Sequence, residues 1–124
     1  MALDIVDFNA RWLKAWSDKN VSELVMFYAQ DTVYCDPQVP DGLKGREALR
    51  AYLTRLFAET PPMRYDPHES WATHNGYCGR WYCTISLPDR ARSYLRGFDL
   101  VVLEDDLIAL NEVYVHPVAA LPQG

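Results

Sequence analysis

The sequence is poor in cysteine and histidine. Three of each occur among 124 residues, as Cys35, Cys78 and Cys83 and as His68, His74 and His116. None forms a Cys-x-x-Cys pair or a zinc-type spacing, so neither a disulfide framework nor a metal centre is expected. Cys78 and Cys83 lie five residues apart in a strand-like stretch, which sends them to opposite faces and prevents local pairing. Small buried hydrophobe is the expected role of all three. Long apolar runs are also missing: stretches such as Leu100–Leu103 fall far short of the roughly 18 residues of a membrane span. The start, Met-Ala-Leu-Asp, has neither a basic region nor an apolar one, so no signal peptide, no membrane partner and a cytoplasmic location are expected. Positive charge is the third shortage. Twelve Lys and Arg face 17 Asp and Glu, a formal charge of −5. Nucleic acid is therefore not an expected partner, because phosphate binding needs clustered Lys and Arg. Lys44, Arg46, Arg50 and Arg55 read as a solvated helix face. With no repeat, linker or low-complexity stretch, residues 1–124 are expected to form a single domain.

What is present is a helical first half and a strand-rich second half. Ile5, Phe8, Trp12 and Trp16 recur at steps of three and four, predicting an amphipathic helix over roughly Leu3 to Asp18. Asn20 and Glu23 have capping-box spacing, and Leu24, Phe27 and Tyr28 give a short second helix its apolar face. Thr32–Cys35 reads as a strand ended by Pro37, and Pro40-Asp41-Gly42 as a turn. Gly45 opens a third helix with Leu49, Leu53, Leu56 and Phe57 inward, and Pro61-Pro62 stops it. Tyr77–Leu87, Ser93–Glu104 and Leu107–His116 are aromatic and β-branched, as antiparallel strands should be. Met63–Trp71 is a weaker strand, pushed to an edge by Pro67. Helices first and strands afterwards is the pattern of an α+β domain with helices on one face of an antiparallel sheet.

Both faces of Tyr94–Leu103 are largely apolar, which suggests a partner for the second face, most simply another copy of the chain. The plain alternative is an ordinary surface carrying a few apolar residues.

Strand alternation puts Asp99 on the face it shares with Leu95, Gly97, Val101 and Leu103. An unpaired ion there is costly, so the group either finds donors or holds its proton. If Asp105-Asp106 form a two-residue turn, Asp99 faces Glu112 and Gly97 faces Tyr114. Two acids sharing a face would favour a protonated one, whereas a one-residue slip replaces Glu112 by Asn111 or Val113. A strand acid solvated at the rim, or bonded to a backbone amide, is the simpler role for Asp99. Asp36 ends the first strand where a carboxylate can project from the rim of a core, although Asp-Pro is also a common turn opener. Trp12, Trp16, Tyr28, Tyr34, Trp71, Trp81, Tyr82 and Tyr114 carry polar tips and suit a cavity wall, with plain packing as the alternative for each.

Tyr28-Ala29, Asp36-Pro37, Gly45-Arg46-Glu47, His74-Asn75-Gly76 and Phe98-Asp99 occur in an order and spacing that resembles bacterial ketosteroid isomerases. The chain as a whole is similar to the nuclear transport factor 2-like superfamily, which also includes SnoaL-like polyketide cyclases. This resemblance implies a curved antiparallel sheet wrapped by three N-terminal helices into a cone with an internal pocket, often dimeric through the sheet. It implies Asp36 as the carboxylate base beside a carbonyl, Asp99 as a protonated acid donating to the developing oxyanion, and Tyr28 as support for that network. Trp12 stands where those isomerases place their principal oxyanion tyrosine, and Leu53 where another network tyrosine belongs. An indole N–H is donor-only and far less acidic than a phenol, so it would orient a carbonyl more than stabilise an enolate.

The resulting expectation is a cofactor-independent acid–base enzyme acting on a small hydrophobic carbonyl or polyketide-like substrate. Trp12, Trp16, Tyr28, Leu53, Phe57, Tyr82, Val101, Glu112 and Tyr114 are the expected substrate contacts around Asp36 and Asp99. A non-catalytic ligand-binding or dimerisation domain is the alternative, because one fold hosts many functions. A third possibility, water activation as in epoxide hydrolases, would combine Arg80, Asp99 and Glu112.

Overall fold

Asp4 opens the first helix, its side chain accepting from the Asp7 backbone N–H at 3.1 Å. The computed structural model describes residues 3–123. Helix α1 (Ile5–Ser17) buries Phe8, Trp12, Leu13 and Trp16, the stripe that the spacing predicts. The short α2 (Val21–Leu24) is capped by the Asn20 side chain, which accepts from Glu23 N–H at 3.1 Å. A single 3-10 turn, Val25–Phe27, then delivers the chain to strand β1 (Tyr28–Cys35). Tyr28 therefore begins a strand instead of ending a helix: the second helix is shorter and the first strand four residues longer than the sequence suggests. Gly42, at φ +96°, makes the turn into the two-residue β2 (Leu43–Lys44). Helix α3 (Arg46–Glu59) buries Leu49, Tyr52 and Leu53, with Leu56 and Phe57 packed beside them.

Four long strands follow: β3 (Met63–Thr73), β4 (Gly76–Ser86), β5 (Arg92–Glu104) and β6 (Leu107–Val118). The expected edge strand is longer than its proline suggests, because the register breaks between Pro67 and Glu69 and the ladder resumes beyond. The strands form one curved sheet in the order β2-β1-β6-β5-β4-β3. Four of its five pairings are antiparallel, and β1 runs parallel to β6. The sheet is thus mixed and unclosed, and with the three helices on its inner face it forms the α+β cone. The β1–β6 pairing joins segments some 80 residues apart and leaves no local trace in the sequence.

The β5–β6 hairpin has the anticipated two-residue turn, with Asp105 and Asp106 both at positive φ and Glu104 opposite Leu107. Its register then shifts by one between Val102 and Leu103. Ala109 is the extra residue, since Leu103 pairs with Ile108 and Val102 with Leu110. This bulge overturns the expected partner of Asp99: Val113 lies opposite it, and Glu112 lies opposite Leu100 on the outer face.

Lys19, in the left-handed region just beyond α1, ties that helix to the end of α3. Its Nζ donates to the carbonyls of Phe57 (3.1 Å) and Thr60 (2.6 Å), satisfying acceptors that a helix end leaves free. The two helices are thereby tied together at their C-terminal ends. Among the described residues, no helix is long and apolar enough to cross a membrane.

Candidate active site

Between α1, α3 and the inner face of the sheet lies a cavity of about 230 Å³. That exceeds the roughly 150 Å³ apolar cavity known to take benzene and falls short of the 300–1,000 Å³ of most ligand pockets. Helix α1 contributes Trp12, Leu13 and Trp16, and α3 contributes Tyr52, Leu56 and Phe57. The sheet supplies Tyr34, Tyr65, Trp81, Leu95, Asp99, Val113 and Val115, while Asp36, Pro37 and Gln38 close one side. Both predicted acids therefore face one cavity.

Asp36 is gripped by four donors. Tyr34 and Tyr52 donate to its Oδ2 at 2.8 and 2.7 Å, and the backbone N–H groups of Gln38 and Val39 donate to its Oδ1 at 2.8 and 3.1 Å. A carboxylate offers about four lone-pair positions, so all are in use. The Tyr52 hydroxyl has a second acceptor at 3.4 Å, Gln38 Oε1. Turning its one proton to Gln38 would uncover an oxygen of Asp36.

Asp99 is only 2% exposed and accepts just two bonds, from Trp81 Nε1 at 3.0 Å and Asn111 Nδ2 at 3.2 Å. Burial pushes its pKa up to about 7, against the opposing pull of those two donors. The donors belong to a chain with a fixed direction. Trp12 Nε1 can only donate, and does so to Tyr28 Oη at 3.2 Å; Tyr28 donates to Asn111 Oδ1 at 2.9 Å. This sets the Asn111 amide so that its NH₂ meets Asp99. Two lone-pair positions of Asp99 remain, enough to carry a proton on the cavity side.

Gly97 makes the Trp81 contact possible. It lies opposite Trp81 across the ladder, and a Cβ there would stand 2.0 Å from the indole ring. The ring therefore lies over bare backbone and reaches the carboxyl two residues along.

Of the other residues singled out, Trp12, Trp16 and Phe57 line the cavity with the two acids. Tyr28 is fully buried behind Trp12 and reaches Asp99 only through Asn111. Leu53 and Val101 are core residues, because the α3 stripe and the β5 alternation carry them past the cavity floor. Tyr82 lies on the outer face of β4 against His68. Glu112 and Tyr114 also face outward, bonded to each other at 2.8 Å, as the β6 bulge dictates. Arg80 lies on that outer face beside His68 and Glu69, so a network of Arg80, Asp99 and Glu112 does not form.

Sequence reasoning missed Tyr52, Gln38, Tyr65 and the assignment of Asn111. Tyr52 had a signal, since Leu49, Tyr52, Leu53 and Leu56 follow one helical stripe. It supplies the phenol near Asp36 that Leu53 cannot. Among the described residues, no group of three or more His, Cys, Asp or Glu is arranged to hold a metal ion.

No curated protein shows significant sequence similarity to the chain. Solved structures share the architecture at low identity. A protein of unknown function from Burkholderia pseudomallei, described as NTF2-like, superposes with a TM-score of 0.79 at 11% identity, covering 93% of this chain and 92% of its own. A Catenulispora acidiphila protein with a ketosteroid isomerase-like fold, solved with trimethylamine, gives 0.76 at 16% identity over 86% and 83%. An epoxide hydrolase/cyclase-like enzyme with a role in pyran-ring formation in the polyether salinomycin gives 0.74 at 17% over 89% and 88%. The family model described as the SnoaL-like domain matches residues 9–111, a span that holds Asp36, Asp99 and the whole Trp12–Tyr28–Asn111 chain, and the protein belongs to this family within the nuclear transport factor 2-like superfamily.

Proposed function

We propose that the protein is an acid–base enzyme that moves a proton next to the carbonyl of a small, mostly apolar substrate without help from a cofactor. The observation that carries this reading is a buried carboxyl, Asp99, facing a ligand-sized apolar cavity with its pKa near 7. A group poised there can hold a proton and donate it to oxygen at neutral pH. Asp36 is the second carboxylate of the cavity and takes the proton from carbon. It becomes available when Tyr52 turns its hydroxyl to Gln38. Asp99 donates a hydrogen bond to the carbonyl oxygen as negative charge develops there, and Asp36 then returns its proton to the same or another carbon. The aromatic walls exclude water, which strengthens both interactions. The volume suits one or two small rings better than a four-ring skeleton. Membership of a family that includes polyketide cyclases supports the same substrate class.

One observation favours a second reading, a non-catalytic ligand-binding domain: at rest, every acceptor position of Asp36 is filled. The two readings part in an exchange experiment. Small cyclic ketones are incubated with the protein in D₂O, and loss of their α-proton signals is followed by NMR. Exchange above the buffer rate, abolished in Asp36→Asn with ketone affinity nearly unchanged, is expected. Ketones that bind without accelerated exchange would leave the binding reading in place.

A further inference from the structure

Among the described residues, the cavity has two carboxyls and no cation. Its 18 lining residues include Asp36 and Asp99 and not one Lys, Arg or His, and among the described residues neither acid takes part in an ion pair. Every ion pair among the described residues joins exposed or half-exposed groups, such as Arg11 with Asp7 and Lys14 with Asp18. Arg55, on the exposed side of α3, acts on Tyr52 and lines no part of the cavity. Buried carboxylates normally find a positive partner. Here hydrogen-bond donors meet both carboxyls, and the lining holds no cation for either when it is ionised.

The walls point to what completes the charge balance. Seven aromatic rings line the cavity: Trp12, Trp16, Tyr34, Tyr52, Phe57, Tyr65 and Trp81. They pack on one another in varied orientations, Trp16 perpendicular to Trp12 and to Phe57 and stacked on Tyr34, and Tyr65 edge-on to Trp81. Rings in several orientations thus surround one space. Ring faces attract cations, best when water is excluded. A bare metal ion would need several ligands grouped around one point, and among the described residues no three His, Cys, Asp or Glu are so arranged. An alkylammonium ion needs none.

We propose that the cavity selects a small lipophilic ammonium ion as a ligand over neutral and anionic molecules of the same shape. The proposal rests on the functional reading above only in taking this cavity as the ligand site, and it specifies the charge of the occupant. It also couples binding to pH. A bound cation favours ionised Asp99, so the carboxyl gives its proton to solvent on binding and affinity rises with pH until Asp99 is ionised in the free protein. The other titratable groups turned toward this interior are Asp36, Tyr28, Tyr34, Tyr52, Tyr65, Tyr77 and Cys83. Burial pushes these phenols upward and the thiol up to about 12, so they stay neutral throughout that range.

Three molecules of nearly one shape test this: choline, its uncharged carbon analogue 3,3-dimethylbutan-1-ol, and the anion 3,3-dimethylbutanoate. Tryptophan fluorescence and calorimetry report binding to the intact protein. Choline is expected to bind at least tenfold more tightly than the alcohol at pH 8, and the anion more weakly than either. Between pH 5.5 and 7 the affinity for choline should climb severalfold and then level off, while that for the alcohol stays flat. Asp99→Asn should flatten the choline profile and shrink its preference. If that variant folds poorly, the wild-type pH profile makes the same discrimination. Equal affinity for choline and the alcohol would overturn the charge preference while leaving the cavity as a ligand site. Failure of all three to bind would overturn both.

Discussion

The two carboxylates that share the cavity are held in opposite ways. Asp36, at the half-buried rim, has four donors and no acceptor position to spare. Asp99, deep in the sheet, has two donors and a pKa near 7. Residue type is the same, and the surroundings assign different work. Dense donation suits an anion that waits for a hydroxyl to turn away, whereas desolvation with sparse donation suits a carboxyl that keeps its proton. Local geometry contributes to both. An Asx-type turn after Pro37 supplies backbone N–H groups to Asp36, and strand parity buries Asp99.

The largest effect should come from removing either partner of this pair. Asp36→Asn and Asp99→Asn are each expected to slow α-proton exchange by about 10²-fold or more, the usual scale for a lost acid, base or oxyanion donor. If Asp99→Asn retains full activity, Asp99 serves structure alone.

Next is the pH dependence of stability. The folded-state pKa of Asp99 lies above the unfolded value of about 3.9, so the folded form binds the extra proton. Its stabilising contribution is complete below about pH 4 and is lost as pH rises to about 7, a change on the order of 4 kcal/mol. Urea denaturation of wild type and Asp99→Asn across pH 4–8 should isolate it, because the variant lacks this component.

Gly97→Ala probes how Asp99 keeps one of its two donors. The new methyl meets the Trp81 indole, so the ring must shift, at about 1–3 kcal/mol, with the hydrogen bond to Asp99 weakened. Loss of that donor should raise the Asp99 pKa further. Unchanged thermal stability and tryptophan emission would show that the ring has somewhere else to go.

Tyr28→Phe strands the Trp12 N–H and the Asn111 carbonyl in a dry interior, at about 1–3 kcal/mol, and frees the amide to flip. Glu112→Gln marks the other end of the scale. On the outer face it should leave exchange activity untouched and stability within about 0.5 kcal/mol. A large loss of activity in Glu112→Gln would return this residue to the site.

What the sequence reveals about this pair follows the range of the interactions involved. Asp99 is placed correctly on the inner face because strand alternation within β5 suffices. Its partner is not, because a single extra residue at Ala109 exchanges Glu112 for Val113 and brings Asn111 into reach. Asp36 reads correctly as a strand-end acid, yet one of its donors, Tyr52, arrives only when α3 packs on β1. Helices α1 and α3 are legible in their apolar stripes. The parallel β1–β6 pairing is not, since no turn connects the two strands. The Trp81–Gly97 contact is equally hidden: a glycine opposite an indole has meaning only once the register is known.

The central claim is that Asp99 holds its proton near neutrality inside a ligand-sized cavity. Carbon-13 NMR of the aspartate carboxyls, titrated from pH 3 to 9 and assigned by Asp99→Asn, measures this directly. A midpoint close to 7 is predicted. A midpoint below about 5 would mean that Asp99 is an ordinary anion and would contradict its role as proton donor.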